Sequence, residues 1–68
     1  MAQITSRELY WLGKALSYEE ACYEKFSYYA READDPATRK LCAQLTDRSR
    51  EHYAALLGQL EASTGQAH

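Results

Sequence analysis

One proline, three glycines and two cysteines are all that this chain of 68 residues has of the residues that break, bend or staple a backbone. The cysteines, Cys22 and Cys42, form no Cys-x-x-Cys pair, which excludes the usual dithiol and zinc-site spacings. Two thiols also cannot make the disulfide framework of a small secreted domain, and they suit a reducing compartment. No apolar run approaches the roughly 20 residues that a membrane helix needs. No basic cluster occurs, and the formal net charge is −2, so neither a membrane nor a nucleic acid is an expected partner. The opening "MAQITSRELYWL" lacks the basic start and apolar core of a secretion signal, and a cytoplasmic location is expected. A chain this short buries a small core and is marginal alone. Without disulfides, self-association is the expected source of further stability.

What the chain does have is helical grammar. Pro36 lies near the midpoint, after Asp34 and Asp35. Asp35 is suited to cap a helix and Pro36 to open its first turn, while the residue before a proline is turned away from helix. Near the start, "TSRE" is a capping box with Thr5 as N-cap and Glu8 reaching back. The expected organisation is one domain over 1–68: a helix over 6–33, a turn at 34–35, a second helix over 36–62 and a frayed tail over 63–68. Each helix would be about 40 Å long.

Helix one carries Leu9, Leu12, Leu16, Glu19, Tyr23, Phe26, Ala30 and Ala33 in alternating steps of three and four. Helix two carries Thr38, Cys42, Leu45, Ser49, His52, Leu56 and Gln59 or Leu60 in the same rhythm, with Leu41 beside them. These are heptad stripes. A short connection makes the helices antiparallel, and Glu19 then faces about position 50. Glu19, Ser49 and His52 therefore share one polar layer in an otherwise apolar seam. A two-helix hairpin encloses no core, and two hairpins related by a two-fold axis close into a four-helix bundle. The expected fold is all-α: an antiparallel hairpin that forms a homodimer, or a higher oligomer built from it.

The stretch "EEACYEKFSYYA" resembles the first ligand helix of ferritin-like proteins, especially rubrerythrins, in which a ligand glutamate is followed by an aromatic seven residues on and an alanine eleven residues on. Glu19, Phe26 and Ala30 occupy those places. "SREHYAALL" is similar to the second ligand helix, with His52 at the motif histidine. With "ADDPATRKLCAQL" included, residues 5 to 60 look like the short spore-coat-type (coat F-like) helical hairpins of endospore-forming Firmicutes. The resemblance implies a ferritin-like four-helix bundle, a spore-associated setting and a layer able to bind metal. Ser49 stands where the family carries the glutamate that bridges two metals. The resemblance thus points away from di-iron oxidase or peroxidase catalysis and towards a non-enzymatic coat or assembly protein.

Two readings of the layer remain open. Two copies of Glu19 and His52 could hold one divalent ion per dimer, with Fe, Mn or Zn suiting carboxylate and imidazole donors, and the alternative role is then a metal-binding ferritin-like protein that handles iron or peroxide. Alternatively, Glu19, His52 and Ser49 satisfy one another and fix register. Ser49, Glu20 and Glu51 are lesser candidates, since Glu20 and Glu51 each point about 100° away from their seam neighbour. Among six tyrosines, Tyr23 is expected in the core, Tyr29 and Tyr53 towards a second copy, and Tyr18 outward with Trp11. Cys22 and Cys42 are offset by about 7 Å along the axis, too far for an intrachain disulfide. Gly58 lies level with Trp11, where a Trp-over-Gly contact would explain a glycine inside a helix. Lys14, Glu24, Arg31, Arg39 and Lys40 read as a solvated face, with Asp35 and Arg39 as an i,i+4 pair.

Overall fold

Thr5 begins the ordered helix by the means its sequence announces. Its hydroxyl accepts from the Glu8 amide at 3.1 Å, and the Glu8 carboxylate accepts from the Thr5 amide at 2.9 Å. This reciprocal pair occupies two donors that the first helical turn leaves unused. The computed structural model describes residues 4–64. From this cap, α1 runs over Ser6–Glu32. It ends one residue earlier than expected: Ala33 is extended (φ −63°, ψ 142°), and its amide donates to the Tyr29 carbonyl at 3.0 Å.

Asp35 starts the second helix. One carboxylate oxygen, Oδ2, accepts from both the amide and the hydroxyl of Thr38 at 2.9 Å. Helix α2 then runs over Pro36–Thr64. Ser63 and Thr64, placed by sequence in a frayed tail, are helical, and residues 65–68 lie outside the described region. Arg39 departs from expectation. It is half-buried and does not pair with Asp35. Its Nη1 donates to the carbonyls of Ala33 at 2.8 Å and Asp34 at 3.0 Å. These carbonyls follow the end of α1, beyond the reach of its own hydrogen-bond ladder, and the two N–H groups of that one nitrogen supply the donors they lack.

The two helices lie antiparallel in a single layer measuring 48 × 22 × 13 Å. Helix α1 turns Leu12, Ala15, Leu16, Glu19, Cys22, Phe26, Ala30 and Ala33 towards α2, all of them half-buried. From α2 come Cys42, Leu45, Thr46, Ser49, Tyr53, Leu56, Leu60 and Ser63. The expected stripes are thus rotated at several positions. Leu9 and Tyr23, assigned to the core, are 48% and 40% exposed. His52, assigned to the seam, is exposed, and Tyr53 takes that place. Thr38 is likewise exposed, and of the alternatives Gln59 and Leu60 it is Leu60 that turns inward. The reason is geometric. A helix with a single neighbour buries a strip about one residue wide, and a rotation of about 100° per residue moves a seam position to the rim.

Among the described residues, only Cys42 (8% exposed) and Ser49 (5%) are buried. Both are small, and they lie one heptad apart on the face of α2 turned to α1. Both cysteines are free thiols. The expected Trp11–Gly58 contact is not formed: Gly58 is exposed, and a Cβ added there would meet nothing within 4 Å.

Candidate functional site

The polar layer lies at mid-length, and the two helices contribute to it unequally. Ser49 is enclosed by α1 because it is small enough to sit under it. Glu19 enters the seam from α1 with its side chain 17% exposed. His52, three residues after Ser49, reaches it from the rim: Nδ1 lies 3.4 Å from Glu19 Oε2, with the imidazole 55% exposed. That is an ion-pair distance and longer than a good N–H···O bond. The contact carries charge on both sides only when His52 is protonated.

Tyr53 and His52 straddle the seam. Tyr53 opens onto one side of the hairpin, where it lines a groove of about 320 Å³ with Glu19, Glu20, Tyr23, Ser49 and Arg50. His52 is one residue, about 100°, away and faces the other side. Helical spacing places Trp11, Tyr18, Cys22 and Tyr29 of α1 on that second side, together with Leu41, Leu45 and Arg48 of α2. A shallower hollow of about 510 Å³ lies near the chain start, between Trp11, Leu12, Gln59 and Ser63.

This division sorts the site candidates named from sequence. Glu19, Ser49 and His52 are brought together. Glu20 is exposed on the groove side, away from His52, and Glu51 is exposed on the outer surface of α2. Among the described residues, no three His, Cys, Asp or Glu side chains converge. One chain therefore presents one carboxylate and one imidazole, half of a tetrahedral donor set. Sequence reasoning missed Arg50 as a groove residue. The signal was there: Arg50 stands level with Glu20 on the same antiparallel register.

Two groups have their ionisation displaced. The backbone and hydroxyl of Thr5 hold the Glu8 carboxyl below its ordinary value, since both stabilise the charged form. A side-chain hydrogen bond to Cys22 and the charge of its thiolate push the Tyr18 phenol above its ordinary value, with Glu19 adding a smaller repulsion. No helix among the described residues is long and apolar enough to cross a membrane. Comparison of the chain with family models, curated proteins and solved structures finds no match.

Proposed function

We propose that this chain is a non-enzymatic assembly protein whose hairpin is half of a four-helix bundle, closed by a second copy of itself. The observation that carries this reading is the exposure of nine large hydrophobic side chains, among them Trp11, Tyr18, Tyr23, Tyr29, Leu9 and Leu41. A hairpin that hides two small residues and leaves these in water has most of its apolar burial still to make. Pairing is the shortest route to it. The likeness of residues 5 to 60 to spore-coat-type hairpins supports the same role, in a spore-associated cytoplasmic setting and on a ferritin-like bundle. The test is mass in solution by sedimentation. A dimer or a multiple of it at micromolar concentration is the expected result, and a monomer at about 100 µM would overturn the reading.

A second reading rests on the 3.4 Å approach of Glu19 to His52. Here the layer holds one Fe, Mn or Zn ion per dimer, ligated by Glu19 and His52 from both copies. It needs the copies to meet through the His52 side of the hairpin. Ser49→Glu probes it. The new carboxylate would enter a place that is 5% exposed and beside Glu19, so the metal-free variant loses about 2 kcal/mol or more. A ferritin-like site would recover that loss on adding Fe(II) or Mn(II). Destabilisation that no metal reverses leaves the layer as packing.

A further inference from the structure

The hairpin has two broad faces, and their charges differ in kind. On the His52 face, helical spacing flanks the aromatic stripe with Arg7, Lys25 and Arg48. Lys25 and Arg48 stand nearly level on opposite helices, with Arg48 one helical turn before His52. On the groove face, Glu20 of α1 and Arg50 of α2 line the same hollow, between Tyr23 and Tyr53. Arg50 pairs with Asp47 at 2.8 Å in an exposed contact with both side chains about two-thirds accessible. Such a pair is held weakly. Among the described residues, the ion pairs formed are Asp47–Arg50 and Glu19–His52, so Glu20 has no cation of its own.

A two-fold axis tests these faces differently, because an isologous contact sets each surface against itself. On the His52 face, an axis parallel to the helices would set Lys25 of one copy near Arg48 of the other, cation against cation. The groove face can satisfy itself, but in only one orientation. With the axis parallel to the helices, α1 of one copy lies on α2 of the other. Glu20 then meets Arg50 of the second copy, twice. With the axis across the helices, α1 lies on α1, and Glu20 is set against Glu20.

We infer that a second copy docks on the Tyr23–Tyr53 groove with both turns at the same end of the bundle, held in register by two crossed Glu20–Arg50 pairs. This rests on the dimeric reading above and names the face, the orientation and the residues that set them. The pairs lie at the edge of an apolar strip formed by Leu9, Leu16, Tyr23, Tyr53 and Leu57. In that position they choose the arrangement more than they supply the affinity. The Trp11–Tyr18 face, with His52, stays on the outside of this dimer, which leaves Trp11, Tyr18, Tyr29 and Leu41 for a contact between dimers.

The test uses the full chain and begins with the dissociation constant of the unaltered dimer. Glu20→Arg alone, or Arg50→Glu alone, turns two attractions into two repulsions and should weaken the dimer by about tenfold or more. The exchanged pair, Glu20→Arg with Arg50→Glu, should return it to within about threefold. Helical circular dichroism is expected to persist, since both side chains are exposed. Orientation is read with Asp34→Cys and a bismaleimide reaching about 10 Å, the spacing of packed helices. Same-end turns cross-link, whereas opposite-end turns stand apart by most of the 48 Å length. Three results overturn the inference while leaving the dimer in place: single reversals without effect, reversals not rescued by the exchange, or no cross-link at residue 34. Loss of the dimer on Trp11→Ser with Tyr18→Ser, but not on Glu20→Arg, would assign the contact to the His52 face. A monomeric starting protein would instead overturn the dimeric reading itself.

Discussion

At the scale of single residues, the chain invests in its helix ends. Thr5 and Glu8 satisfy one another's backbone amides. Replacing Thr5 with Ala removes one acceptor and should cost about 1 kcal/mol, read as a lower midpoint in urea. The Glu8 carboxyl is held below its ordinary value by those same bonds. A depressed carboxyl stabilises the fold above its unfolded value, and the contribution fades as pH falls through the folded one. Stability should therefore drop on acidification below about pH 4.5, and by less in Glu8→Gln than in the native chain. Equal acid sensitivity in the two proteins would exclude this source. Arg39 joins the ends of both helices. Arg39→Lys keeps the charge but not the reach and planar direction of the Nη1 that bridges two carbonyls at 2.8 and 3.0 Å. A loss of about 1 kcal/mol is expected by thermal melting.

At the scale of the helices, the sequence was legible where a few neighbours decide the outcome and less so where rotation decides it. The capping box, the Asp35 start and the proline break are local devices, and they mark both helices to within two residues. The facing surfaces are not local. Tyr53 or His52, Cys22 or Tyr23: each pair differs by one position, and the heptad rhythm fits either choice. Only the presence of a single neighbour, narrower in its demand than a bundle core, turns His52 to the rim and brings Tyr53 in. The candidate site was legible in membership, since Glu19, Ser49 and His52 do meet, but not in depth. The helices also carry a correctable defect. Gly58 faces open space, so Gly58→Ala should stabilise by about 1 kcal/mol and raise the melting temperature by several degrees. No gain would show that a second backbone lies against that position.

At the scale of the whole molecule, the proposed pairing would couple folding to association in a slab one helix thick. Its melting temperature should rise with protein concentration, and a tenfold dilution should lower it measurably. A midpoint independent of dilution would mean that the hairpin stands alone. The antiparallel pairing also has a consequence for biosynthesis. Cys42 and Leu45, close to the turn, are translated soon after the part of α1 they cover. The partners of Leu12 and Ala15 are at Leu56, Leu60 and Ser63, more than 40 residues further along the chain. The front of α1 therefore leaves the ribosome well before the residues that cover it. On a crowded message, a neighbouring nascent α1 is the first apolar surface that it meets.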